Sequence, residues 1–93
     1  MEKLLKDILK FRDERGWKHH DTPDALAKSI IIEAAELLEN FQWPDVKPDL
    51  ENVKEELADV LIYALAMSRD LGLDPEEIIY EKLKKNNVKY PAP

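Results

Sequence analysis

An all-α fold follows from three features of the sequence: apolar residues recur at helical spacing, start and stop signals divide the chain into four segments, and glycine is scarce. Only two glycines, Gly16 and Gly72, occur in 93 residues of which 44% are hydrophobic. That composition suits helices and argues against a sheet with many tight turns. The length predicts a single domain over residues 1–93, a four-helix, bundle-like protomer with a long central antiparallel pair. A short chain of amphipathic helices buries little alone, so assembly into a homo-oligomer is expected.

The first helix is predicted over residues 2 to about 15, where Leu4, Leu5, Ile8, Leu9 and Phe11 give the stripe and Gly16 the stop. A connector from Trp17 to Asp21 carries both histidines, His19 and His20, as exposed residues. Thr22 then reads as an N-cap with Pro23 at the first helical position, opening a second helix to about Asn40. Its buried stripe is expected to be Leu26, Ile30, Ala34, Leu37 and Leu38. Two prolines, Pro44 and Pro48, make the following segment a loop. Asp49 caps a third helix, about residues 50–71, with Val53, Leu57, Val60, Leu61, Ala64, Leu65 and Ser68 as its apolar face. Asp74-Pro75-Glu76-Glu77 reads as a capping box for a fourth helix that ends near Asn86 or Asn87, followed by an extended tail from Val88.

The net charge of −6 argues against a nucleic acid polymer as partner, since basic surface dominates such binding. The absence of cysteine removes disulfides and thiolate metal sites. Residues 60–68, the longest uncharged apolar run, are too few to span a bilayer, and the opening MEKLLKDILK has no apolar leader core. A cytoplasmic setting without membrane partners is expected.

Most acids in such a charged chain are solvated. Two pairs stand apart: Glu33 with Glu36, and Glu56 with Asp59. Each pair is spaced three residues apart within apolar sequence, so each shares a helix face. Packed together, four carboxylates repel unless protons or cations neutralise them. Between Glu33 and Val53 the only basic residue is Lys47, in the loop, so helices one and four are the remaining sources of an ion-pair partner. Oxygen ligands suit magnesium or manganese. A di-iron centre expects Glu-x-x-His, and neither helix contains histidine. From the residues alone, a metal site and an ordinary acidic surface both remain open.

Glu33-x-x-Glu36 and, after nineteen residues, Glu56-x-x-Asp59 resemble the signature of MazG-like all-α nucleoside triphosphate pyrophosphohydrolases. The flanks Arg15-Gly16-Trp17, Thr22-Pro23, Phe41-Gln42-Trp43 and Lys89-Tyr90-Pro91 are similar to the short, single-domain branch that includes dCTP pyrophosphatases. The resemblance runs from about Phe11 to Pro91. It implies hydrolysis of a (deoxy)nucleoside triphosphate, with a dCTP-like substrate favoured, to monophosphate and pyrophosphate, a role in nucleotide-pool sanitation, and a homodimer or homotetramer. It further implies that Glu33, Glu36, Glu56 and Asp59 bind Mg²⁺, with Mn²⁺ as a substitute. Glu36, or Glu33, would serve as the catalytic carboxylate. Trp17, Trp43 and Tyr63 match positions contacting the nucleotide, as do Lys82, Asn86, Lys89 and Tyr90, and Arg15 is a candidate phosphate contact. One departure bears on the base: Asp21 stands where related chains have histidine, and an aspartate suits an exocyclic amino group such as that of cytosine. The alternative is a non-catalytic helical oligomer that binds nucleotide or regulates; a carboxylate-bridged iron protein ranks last.

Overall fold

The computed structural model describes residues 1–93 as four α-helices and one 3-10 turn. In order these are α1 (Glu2–Glu14), the turn Trp17–His19, α2 (Pro23–Glu39), α3 (Leu50–Asp70) and α4 (Pro75–Lys89), with no strand. No helix is long and apolar enough to cross a membrane.

The helix starts follow from their capping residues. The Thr22 hydroxyl accepts from the Ala25 N–H at 3.4 Å, and Asp49 accepts from the N–H groups of Glu51 and Asn52. Asp74 accepts from the Glu76 N–H at 3.0 Å, but no reciprocal bond from Glu77 completes the expected box. Gly16 and Gly72 adopt φ of 66° and 73°, the left-handed region in which a residue with a Cβ is strained. Helix α4 runs on to Lys89, so Val88 and Lys89 are helical instead of belonging to the tail. The helix ends at Tyr90 because Pro91 disfavours helical geometry in the residue before it.

Helices α2 and α3 make the most extensive contact, α1 lies against α3 and the 3-10 turn, and α4 touches α3 alone. At one end of the central pair, Asn40 Nδ2 donates to Asn52 Oδ1 at 2.8 Å. Arg12, only 5% exposed, donates two bonds to Asp70 at 2.6 and 2.8 Å and so ties α1 to the C-terminal end of α3.

The core is small: Leu5, Leu26 and Ala66 are its buried apolar residues, with Pro75 also enclosed. The expected stripes are only partly covered. Ile30, Leu37, Val53, Val60, Ala64, Leu65 and Ser68 are half-buried, whereas Ala34, Leu38, Leu57 and Leu61 are exposed. The reason is architectural, since four helices in this arrangement cannot cover both faces of the central pair. The accessible surface is 7593 Å², against about 5,500 Å² for a compact monomer of this mass.

Candidate active site

Because acids three residues apart share a helix face, the α2–α3 contact brings both acidic pairs together. Carboxylate oxygens of Glu33, Glu56 and Asp59 lie within 4.8 Å of one another, and all three residues are half-buried. One oxygen of Glu33 and one of Glu56 are buried without a hydrogen-bond partner. Oxygens so deprived of water and donors are costly unless a proton or cation meets them.

The titration of these groups reflects that cost. Loss of water pushes Glu56 up to about 7, reinforced by hydrogen bonding with Glu36 and Glu33 and by their charge. Burial also raises Glu33; interactions with Glu36 and the charge of Asp59 add to this, while its hydrogen bond with Glu56 opposes it. Glu36 is exposed and lies outside the three-oxygen group, yet it acts on both neighbours. The donor set suits a hard divalent cation: three carboxylates that offer oxygen ligands within 4.8 Å of one another.

Asp59 also lines a cleft of 490 Å³, a volume suited to a small ligand. Trp17, Phe11, Asp21, Ile62 and Tyr63 form much of its remaining wall. Trp17 stands edge-on to Phe11, with centroids 5.7 Å apart and planes at 75°. Tyr63 follows Asp59 by one helical turn. Its phenol is pushed up by burial and by the charges of Glu33, Asp59 and Asp21.

The structure thus brings together Glu33, Glu56, Asp59, Tyr63 and Trp17, with Glu36 alongside. Other candidates lie outside the cleft of their own protomer. Trp43 is 62% exposed in the α2–α3 loop. Lys82, Asn86, Lys89 and Tyr90 belong to α4 and its end, away from the α2–α3 seam, and the Lys89 ammonium sits 5.4 Å from the Tyr90 ring centre. Arg15 turns back on α1: it donates to the Phe11 carbonyl at 2.9 Å and stacks 3.5 Å over the Phe11 ring. His19 and His20 are exposed, but Asp21 faces the cleft. Sequence reasoning missed Arg12, part of the cleft wall and the buried cation of the protomer. Its signal was available in Leu5, Ile8 and Arg12, which share one face of α1.

An all-helical protein with a carboxylate triad fit for a divalent cation, opening on an aromatic cleft, is the class that fold and site define. The chain belongs to the MazG-like family, whose model matches residues 28–93. It is 33% identical to dCTP pyrophosphatase 1 of Mus musculus and equally so to that of Homo sapiens. Each alignment covers 98% of this chain but 61% of the relative, so the chain spans about three-fifths of their length. A crystal structure of a pyrophosphatase from Archaeoglobus fulgidus superposes with a TM-score of 0.87 at 44% identity, over 99% of this chain and 93% of the other.

Proposed function

We propose that the protein is a Mg²⁺-dependent nucleoside triphosphate pyrophosphohydrolase, with a dCTP-like substrate and a role in nucleotide-pool sanitation. The observation that carries this reading is the double membership of Asp59, which belongs to both the carboxylate triad and the aromatic cleft. A triphosphate held at the triad extends its base naturally towards Trp17 and Tyr63. The names of the similar proteins support the same reaction class.

In the proposed reaction, water oxygen bonds to phosphorus, the bridge between α- and β-phosphates breaks, and pyrophosphate leaves with the electron pair of that bond. Glu33, Glu56 and Asp59, with Glu36 beside them, would hold Mg²⁺; Mn²⁺ would satisfy the same oxygen donors. When bound, the ion supplies charge neutralisation and acidification of water. Glu36 takes the proton from the attacking water, a role supported by its position beside the triad and its access to solvent. Glu33 orients it. Trp17 stacks on the base, which contributes affinity for any base. Tyr63 borders the sugar and α-phosphate.

The contacts Asn40–Asn52 and Glu33–Glu56 support an antiparallel α2/α3 pair. Lys82, Asn86, Lys89, Tyr90 and Trp43 then complete the site of a neighbouring subunit in a homodimer or homotetramer; the exposure of all but the half-buried Asn86 and the excess surface of the protomer support this. The test is pyrophosphate release from dCTP in Mg²⁺, with Glu36→Gln and Asp59→Asn each lowering kcat by about a hundredfold or more. Absence of turnover across the common NTPs and dNTPs, with Mg²⁺ and with Mn²⁺, would leave the non-catalytic oligomer as the better account.

A further inference from the structure

Asp21 is held in place by the local backbone. The turn Trp17–His19 directs it, with the Asp21 N–H bonding to the Trp17 carbonyl at 3.0 Å, and the α2 cap Thr22 follows immediately. Its side chain is 23% exposed and lies in the cleft wall with Trp17, Phe11 and Tyr63. The nearest cation is Arg12, whose Nε is 4.0 Å from Asp21 Oδ2. The two terminal nitrogens of that guanidinium are already committed to Asp70. Arg12 therefore supplies positive charge behind Asp21 without a hydrogen bond to its oxygens. What remains is a carboxylate without a hydrogen-bonded donor, set among aromatic rings in a cleft of ligand size.

We propose that Asp21 determines base preference, selecting nucleoside triphosphates whose base carries an exocyclic amino group. The inference rests on the hydrolase reading and adds the substrate class to it. A carboxylate only accepts hydrogen bonds. Cytosine, adenine and guanine each present an amino donor at the edge of a flat ring. Thymine and uracil present a carbonyl at the place of the cytosine amino group, so acceptor faces acceptor. Discrimination of this kind is large because the mismatched base leaves a desolvated carboxylate unpaired. Were Asp21 only a structural companion of Arg12, its substitution would lower stability and leave base preference unchanged.

The experiment compares kcat/KM for dCTP, dTTP and dUTP in wild type and in Asp21→Asn, alongside thermal unfolding of both. Wild type should favour dCTP by about tenfold or more. Asp21→Asn, whose amide can donate to a carbonyl, should narrow that ratio by about tenfold at similar stability. A wild-type ratio within about twofold of unity, or a ratio unaltered in Asp21→Asn, overturns the proposal. Calorimetric titration with the non-hydrolysable α,β-imido analogues of dCTP and dTTP separates the two readings. Preferential binding of the dCTP analogue without turnover of any nucleotide upholds the role of Asp21 and overturns the hydrolase. Turnover with equal binding of the two analogues, and equal kcat/KM for their substrates, does the reverse.

Discussion

At 5% exposure, Arg12 places a guanidinium where water scarcely reaches it, and that charge is tolerable because Asp70 accepts two of its hydrogen bonds. Arg12→Met keeps the volume but leaves Asp70 without its partner. A loss of about 3 kcal/mol is expected, seen as a fall in Tm of roughly 10 °C or more. Asp70→Asn should cost less, because the amide oxygen still accepts one bond. A second prediction concerns Glu56, held up to about 7 against an ordinary 4.5. The fold favours its neutral form, so in chelated protein this contribution to stability is complete below pH 4.5 and is lost as pH rises through about 7. A divalent cation reverses the trend by taking the proton's place. Thermal unfolding in EDTA and in Mg²⁺ should therefore show a larger cation-induced rise in Tm at pH 8 than at pH 5, and Glu56→Gln should largely remove the difference. An equal rise at both pH values would separate cation binding from this group. The acid pairs were legible in the sequence because i, i+3 spacing fixes a face whatever the tertiary packing. The Arg12–Asp70 pair was not, because it joins positions 58 residues apart and no local rule couples them.

Helix α4 shows how an element can be well specified locally and still lack a place in its own protomer. Asp74 and Pro75 fix its start, Pro91 constrains its end, and yet it contacts α3 alone. Its start was readable because capping is local chemistry. Its C-terminal turn was not, because a downstream proline limits a helix without saying how near to itself the helix stops. The candidate ligands Lys82, Asn86, Lys89 and Tyr90 are carried on this arm, which makes no contact with α2 and contributes nothing to the cleft wall beside Asp59. If α4 serves a neighbouring subunit, two inactive variants should rescue each other. Glu36→Gln retains a sound α4, and Lys82→Ala retains sound acids. Refolded together in equal amounts, they form some sites with both parts intact, about a quarter of the total for random pairing. Pyrophosphate release should recover to that level from near zero in either variant alone. No recovery on mixing would place Lys82 outside the partner's site.

For the whole molecule, surface is the dominant fact. The radius of gyration is 15.8 Å, whereas a compact chain of this length has about 12 Å. Together with about 2,000 Å² of surface beyond that of a compact monomer, this leaves each protomer an excess comparable to one side of an obligate interface. The excess includes a groove lined wholly by apolar side chains, Ala34, Leu37, Leu38, Phe41, Val53 and Leu57, on the seam of α2 and α3. All of these but Phe41, which falls in the predicted loop, belong to the predicted apolar stripes, but periodicity reports that a face is buried and not which chain buries it; in the protomer Ala34, Leu38 and Leu57 are exposed and Leu37 and Val53 only half-buried. Burial of that groove by another copy predicts a particle of two or four times the 10.8 kDa protomer mass, measured by sedimentation equilibrium. Leu38, 65% exposed, tests it most cleanly, since Leu38→Glu places a charge on the groove without disturbing the small core of Leu5, Leu26 and Ala66. The variant should keep its helical circular dichroism and shift towards smaller species. Because the α4 residues of one subunit are then withdrawn from the acids of another, its pyrophosphate release should fall in step with dissociation. A variant that remains fully assembled would remove this groove from the interface, and one that dissociates with undiminished turnover would show that each protomer holds a complete site.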